Sequence, residues 1–154
     1  MCKVIPVTDA GIMLNMVYQA MKKLELDCAT IFAQVAMPDV LPNPNMRYRN
    51  SSQQRFWRVA AEVSANNDIG LHIGDNMSVF RGQVLEYLYL SSPTFGDGLK
   101  RSLKYSRLLT DSLQIGLRVD GDVAILYGFN HPVRHFLEVI IVGFLRFFSY
   151  VTEG

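Results

Sequence analysis

The sequence predicts an α+β domain that is mostly helical and has a small antiparallel sheet, including a hairpin near residues 113–129. Before residue 110, apolar residues recur mainly at helical spacing. Between Leu113 and Phe129 they alternate on both sides of Asp120-Gly121, a pattern typical of a hairpin. The chain has 154 residues, of which 49% are hydrophobic and 19% charged, so we expect one domain with one core and not a disordered chain.

Capping residues and apolar spacing predict the first two helices. Either Thr8 or Asp9 could cap the first helix, and Asp27 is the expected cap of the second, which stops before Pro38. The predicted inward residues of the two helices are Ile12, Met13, Met16, Val17, Ala20, Leu24, Cys28, Ile31, Phe32 and Val35. The proline-rich stretch "MPDVLPNPNMRYRN" then predicts an ordered but irregular loop.

The middle of the chain predicts three more helical segments. Ser51 and Gln54 have the spacing of a capping box, which would open a helix whose inward residues are Phe56, Val59, Ala60 and Val63. The short apolar piece "IGLHIG" lies between Asp68 and Asp75. After it, Phe80, Val84, Leu85 and Leu88 offer a further helix face.

A sixth helix is expected to start at a fixed place. Thr94 and Asp97 form a second capping-box pattern, and Phe95, Leu99, Leu103 and Leu109 fall in one arc of the helix. The basic flank, Lys100, Arg101, Lys104 and Arg107, lies away from that arc and is either a solvated side or a surface for an acidic partner. After the hairpin, Asn130 could cap a last helix that has Pro132 near its first position.

Composition argues against several functional classes. The net charge of +1 gives the whole chain no electrostatic reason to bind nucleic acid or an anionic membrane. Cys2 and Cys28 cannot build a disulfide framework, and the N-terminus lacks the pattern of a secretory signal, so we expect a cytoplasmic protein. Glu138 and Arg146 interrupt the apolar stretch near the C-terminus, which is also short for a membrane span, so no membrane partner is expected.

The sequence contains no recognisable catalytic motif, so no enzyme activity is expected. Nucleophile signatures and glycine-rich phosphate loops are absent, and no cofactor is expected. His131 and His135 have the four-residue spacing of metal or haem ligands, but no third ligand is near them in sequence. We therefore predict no metal site and keep a haem or gas sensor only as a weak alternative.

Aromatic residues suggest an apolar-walled ligand site, because binding pockets combine apolar walls with a few polar groups. The ordinary interpretation is that these side chains pack in the core. The candidate effector-binding residues are Trp57, His72, Tyr87, Tyr105, Tyr127 and Phe129.

Three consecutive stretches carry a resemblance to a known family. "RFWRVAAEVSANNDIGLHIG", then "GQVLEYLYLSSPTFGDGLKRSLKYSRLLTD", then the hairpin resemble the N-terminal effector domain of AraC/XylS-type transcription regulators, in the subgroup that includes ornithine-utilisation regulators. The resemblance covers about Met1 to Phe129. Its most specific part is Ser91 to Leu99, followed by Tyr105 and by Leu108-Leu109.

The resemblance implies a domain that senses a small-molecule effector, binds DNA only through another domain, and forms a homodimer. In the family a tandem helix-turn-helix domain follows, so we expect residues 1–154 to be an N-terminal regulatory domain that is cut short. The expected oligomer or interdomain interface is the exposed side of the last helix, with Ile140, Ile141, Phe144, Phe147 and Phe148. A dimerisation or scaffold module without a ligand is the alternative.

Overall fold

The computed structural model describes residues Pro6 to Thr152, and over this range the fold is α+β, as predicted. The helices in this part of the chain are α1 (Gly11–Lys23), α2 (Cys28–Gln34), α3 (Gln53–Ser64), α4 (Ile69–Asn76), α5 (Val84–Leu90), α6 (Phe95–Lys104) and α7 (Arg134–Thr152). The strands are β1 (Thr8–Ala10), β2 (Arg47–Arg49), β3 (Gly116–Asp120) and β4 (Val123–Tyr127), which pair antiparallel as β1 with β2 and β3 with β4. Cys2 lies outside the described residues, and Cys28 is buried.

The short strand β1 joins two distant parts of the chain. Thr8 pairs with Arg49 of β2, while Asp9 makes an isolated antiparallel bridge with Thr110 on the other side. Neither Thr8 nor Asp9 caps α1, so that prediction is wrong: Ala10 holds the cap position and its side chain makes no cap hydrogen bond. The two polar side chains are instead committed to residues about a hundred positions away, Asp111 and Thr110.

The predicted caps differ in outcome. The Asp27 carboxylate accepts from the backbone N–H of Thr30 at 3.0 Å, which confirms the start of α2. The capping box at Ser51 is wrong, because residues Asn50–Ser52 form a 3₁₀ turn and α3 begins only at Gln53. Gln53 itself donates to the distant Asp9 carboxylate, so the polar side chains at this helix start are used for tertiary contacts.

Helices α4 and α7 lie side by side and run in the same direction. Gly70 faces His135 and, one turn further along both helices, Gly74 faces Val139. A side chain at Gly70 would lie 2.7 Å from the carbonyl oxygen of His135, so only glycine permits this approach. The largest fully buried side chains of the core are Phe32, Phe147, Met21, Ile31, Ile69, Ile73, Leu85, Val139 and Cys28.

The segment before α5 differs from the prediction. The helix begins at Val84, whose side chain is exposed, so Val84 is not part of an inward face. Phe80 is buried but lies in a turn, where Val79 and Phe80 both have positive φ angles (38° and 56°). Such angles are strained for a β-branched residue and are held here by the packing of Phe80 against Phe147.

The Thr94 prediction is confirmed. Its hydroxyl accepts from the backbone N–H of Asp97 at 3.1 Å and donates to the Asp97 carboxylate at 2.8 Å. Leu99 is buried, whereas Lys100, Arg101 and Lys104 are exposed, as the helical spacing predicts. Helix α6 ends at Lys104, so the expectation that Arg107 and Leu109 lie on the same helix is wrong. Phe95 remains 40% exposed and packs against Tyr89 and Phe148.

The predicted hairpin is present, with Gly121 at φ 57° in its two-residue loop. Leu117 pairs with Leu126 and Val119 with Ala124, so these four side chains share one face, while Val123, Ile125 and Tyr127 lie on the other. Val119, Val123 and Tyr127 are all more than half exposed. The hairpin therefore has exposed apolar side chains on both faces, while Leu117 and Leu126 pack against the core.

Helix α7 begins at Arg134, so Asn130 and Pro132 precede it and do not form its start as predicted. By length and composition α7 could span a membrane, although its inner residues pack in the core. Ile140 and Phe147 are buried, so the expectation that they lie on an exposed side is wrong: Phe147 packs against Phe80 and Tyr89, and Ile140 belongs to the same core. Ile141 is 40% exposed, and Phe144 and Phe148 are half-buried.

Candidate functional site

A small cavity lies where β1, α1, α3 and α7 meet. Its volume is about 40 Å³, and its walls are mostly apolar. The lining residues are Asp9, Ala10, Met13, Leu14, Val17, Met37, Tyr48, Ser52, Gln53, Phe56, Trp57, Phe136 and Val139. A cavity of this size holds one or a few waters, so an organic ligand would require the walls to move apart.

The Asp9 carboxylate is the most buried polar group of this cavity, with 3% of the residue exposed. It accepts from Asn50 Nδ2 at 2.8 Å, from Gln53 Nε2 at 2.9 Å and from Thr110 Oγ1 at 2.6 Å. These donors come from the end of β2, the start of α3 and the segment before β3. One carboxylate thus joins three parts of the chain that are distant in sequence: β1, residues 50–53 and the segment before β3.

His131 extends this network towards α7. Its Nε2 lies 3.0 Å from Asn50 Oδ1, and its Nδ1 lies 3.1 Å from the backbone N–H of Val133, so the neutral ring donates through Nε2 and accepts through Nδ1. Burial lowers the pKa of His131, and the negative charge of Asp9 partly opposes this change. The network therefore favours an uncharged imidazole at His131.

Trp57 separates the cavity from an open groove on the other side. The groove has a volume of about 530 Å³ and lies between α3 and the start of α7, where Arg58, Val133 and His135 line it. The indole Nε1 donates to Gln53 Oε1 at 2.8 Å, and Gln53 also donates to Asp9. A movement of Trp57 would connect the cavity with the groove and disturb the hydrogen bonds around Asp9.

The six predicted effector-binding residues do not come together. Trp57 lines the cavity, Tyr87 lies in a separate surface groove, and Tyr127 lies in a third groove between α6 and the hairpin. His72 and Tyr105 are exposed, and Phe129 packs against Phe144 of α7. The six side chains therefore do not line one shared pocket.

Sequence reasoning missed Asp9 and Gln53 as site residues. Asp9 lies two residues before an apolar helix, where an aspartate has a ready role as a cap. Gln53 lies next to a residue that the sequence assigns to a capping box. The hydrogen bond between Asp9 and Thr110 identifies Asp9 as a site residue, and the sequence does not reveal this contact.

The two histidines with ligand-like spacing are occupied by other partners. His131 contacts Asn50, and His135 Nδ1 lies 2.8 Å from Glu138 Oε2. Within Pro6–Thr152, no three His, Cys, Asp or Glu side chains are close enough to hold a metal ion.

Comparison with known proteins places the chain in a family. Residues 26–154 match the model of the arabinose-binding domain of AraC transcription regulator, N-terminal. The ornithine utilization regulator of Pseudomonas aeruginosa is 27% identical over 120 residues, which cover 77% of this chain and 34% of that protein. The chain thus spans about a third of the length of this relative. No solved structure matches it significantly. Because the family model covers most of the sequence, the chain belongs to the family of N-terminal arabinose-binding domains of AraC transcription regulators.

Proposed function

We propose that this regulatory domain senses a small-molecule effector in the cavity around Asp9 and Trp57. The observation that carries the proposal is a buried carboxylate at the end of an apolar-walled cavity. Ligand sites combine such walls with a few polar groups that fix orientation. The groove between α6 and the hairpin, which Tyr127 lines, is open and polar. It is therefore less suited to a buried ligand than the cavity around Asp9 and Trp57.

The mechanism is a shift between two arrangements of the domain. In the closed arrangement, Trp57 packs against Phe56 and holds Gln53. An effector binds better to an open arrangement, in which Trp57 has moved, and increases its population only by that difference in affinity. The family is a regulatory one and not an enzyme family, so the output is a change of conformation.

Helix α7 is the element best placed to transmit this change. Phe136 and Val139 of α7 line the cavity, while Ile141 and Leu145 further along the helix are exposed. A displacement at the cavity therefore reaches an apolar surface that can contact a second copy of the chain or another domain. We place Ile141, Phe144 and Phe148 at this interface, and we assign DNA binding to a helix-turn-helix domain of the parent cytoplasmic regulator.

A ligand-free dimerisation module is the second candidate function. The closed cavity of about 40 Å³ favours it, because an organic ligand does not fit without movement. Exposed apolar residues on α7 and the hairpin are also compatible with a permanent contact between subunits.

Tryptophan fluorescence distinguishes the two functions, because Trp57 is the only tryptophan of the chain. We would screen a broad library of small molecules for compounds that change both the Trp57 emission and the melting temperature. An effector should raise the melting temperature as its concentration exceeds Kd. If no compound changes either signal while light scattering shows a stable dimer, the scaffold is the correct function.

A cavity-filling variant provides the matched control. Leu14→Phe adds volume at a residue that lines the cavity, whereas Leu24→Phe makes the same change at the other end of α1, away from it. We expect Leu14→Phe to lower effector affinity by about tenfold or more, since even small changes in packed volume cost 1–3 kcal/mol. Leu24→Phe should keep the affinity of the wild type. Equal loss in both variants would contradict the proposed location.

A further inference from the structure

Among the residues that the structure describes, no cation neighbours the Asp9 carboxylate. Its three hydrogen-bond donors, from Asn50, Gln53 and Thr110, are all neutral. Between Pro6 and Thr152, no Lys, Arg or His nitrogen lies within 4.0 Å of it. Arg47, on the adjacent strand, bonds to Thr8 and Asp111 instead. A buried negative charge with only neutral partners is costly, so a cation that enters the cavity gains a strong partner.

The carboxylate also retains room for one more donor. Two carboxylate oxygens offer about four acceptor positions in total, and the donors of the protein occupy three of them. Among the described donors, two amides bond to Oδ2 and Thr110 alone bonds to Oδ1. An ammonium group has N–H bonds to donate and could use the remaining position.

The walls of the cavity suit a cation that carries an alkyl chain. Phe56, Trp57 and Phe136 present aromatic rings, whose faces attract positive charge. Met13 and Val17 provide apolar contacts for methylene groups. An anionic ligand would meet the Asp9 charge at short range and in a poorly hydrated site, where repulsion is strong.

Resting on the proposed sensing function, we propose that the cavity selects a protonated aliphatic amine whose ammonium group donates to the Asp9 carboxylate. The amine reaches the site from the open groove when Trp57 moves away from Gln53. Its alkyl chain then lies between the aromatic rings of α3 and Phe136. The indole of Trp57 is therefore both the gate and a direct reporter of binding.

The test uses three probes of equal length, n-butylamine, n-butanol and butyrate, titrated into the wild-type chain while Trp57 emission and heat of binding are recorded. We expect the amine to bind at least about tenfold more tightly than the alcohol, because both can donate a hydrogen bond to Asp9 but only the ammonium group also brings a positive charge to the buried carboxylate. Butyrate should bind most weakly. Equal or tighter binding of the alcohol or butyrate, or no binding of the amine, overturns the proposal.

Variants test whether Asp9 is the residue responsible. Asp9→Asn should lower the affinity for n-butylamine about tenfold or more and leave that for n-butanol nearly unchanged. Asp122→Asn removes the same charge from the exposed hairpin loop and should leave both affinities unchanged. Unaltered amine affinity in folded Asp9→Asn contradicts the proposal. If Asp9→Asn does not fold, the wild-type series still decides between an amine and a neutral or anionic ligand.

The outcome also separates this proposal from the function on which it rests. If a library compound without an amine changes the Trp57 emission and the melting temperature, the domain is a sensor but does not select amines. If no compound changes either signal, both fail.

Discussion

Asp9 illustrates how one side chain can determine the arrangement of a site. It is the only carboxylate among the described cavity-lining residues, and its partners come from two distant segments, residues 50–53 and Thr110. The sequence predicts a polar residue at the start of α1, which is correct, but assigns it to a cap. Asp9 bonds to distant residues and does not cap α1, because β1 pairs with Thr110, 101 residues away.

His131 should make the stability of the domain depend on pH. Burial lowers its pKa below the ordinary value of 6.5, so between the folded-state pKa and 6.5 the unfolded chain binds more protons than the folded one. The contribution of His131 to the free energy of unfolding is therefore complete above about pH 6.5 and decreases as the pH falls. In His131→Gln it is absent, so the difference in melting temperature between wild type and variant should shrink as the pH is lowered from 7.5 to 5.

The control for this prediction is the same change at His72, which is exposed on α4 and lies outside the cavity. Comparing the two variants shows whether the change in pH dependence requires the position of His131 or follows from the loss of any imidazole. A difference between wild type and His131→Gln that stays constant, or grows towards low pH, would show that the imidazole is not held in its neutral form.

At the scale of elements, the sequence predicted those features that depend on a few neighbouring residues. The Asp27 and Thr94 caps and the loop at Gly121 are present because each is completed within four residues. At the starts of α1 and α3, polar side chains have partners in other elements: Thr8 and Asp9 before α1, and Gln53 at the start of α3. Helix α7 begins four residues after the predicted cap Asn130. Hydrogen-bonding residues such as Asn50 and Gln53 fit a helix start and a tertiary contact equally well, and only the fold decides between them.

The close approach of α4 and α7 depends on Gly70, which has no side chain. A methyl group at Gly70 would lie 2.7 Å from the backbone oxygen of His135, so the two helices would have to separate. Gly70→Ala should therefore lower the free energy of unfolding by about 1–3 kcal/mol, despite the better helix propensity of alanine. Urea denaturation of wild type and variant measures this difference.

Gly96 provides a matched comparison in another helix. It lies in the first turn of α6, and the nearest atom to a methyl group there, Thr94 Oγ1, is 3.9 Å away. Gly96→Ala should leave stability unchanged or raise it by up to about 1 kcal/mol. Equal destabilisation of both variants would mean that glycine is required for some reason other than the contact between α4 and α7.

At the scale of the whole molecule, the sequence predicted the fold class and the helical core. It did not predict which side chains come together around the cavity. Apolar spacing identified Phe32, Phe56 and Leu99 as inward residues because helix periodicity alone separates inside from outside. The candidate aromatic residues were grouped by type, and they lie in different parts of the fold. Which faces of two elements meet depends on contacts between distant residues, and the sequence pattern does not contain this information.

Stability should be distributed unevenly between the helical core and the hairpin. The hydrogen bonds of β3 and β4 are made between the two strands, and Val119, Val123 and Tyr127 are exposed. Helices α4 and α7, in contrast, bury Ile73, Val139 and Phe147 almost completely. Amides of the hairpin should exchange with deuterium on the order of 100-fold faster than those of α4, because they open locally without unfolding the core.

A pair of identical substitutions checks the same distribution by a second route. Val119→Thr changes an exposed hairpin residue and should leave the melting temperature nearly unchanged, whereas Val139→Thr places a hydroxyl in the core and should lower stability by about 1–3 kcal/mol. If hairpin and α4 amides exchange at the same rate and both variants lose stability equally, the hairpin unfolds together with the core.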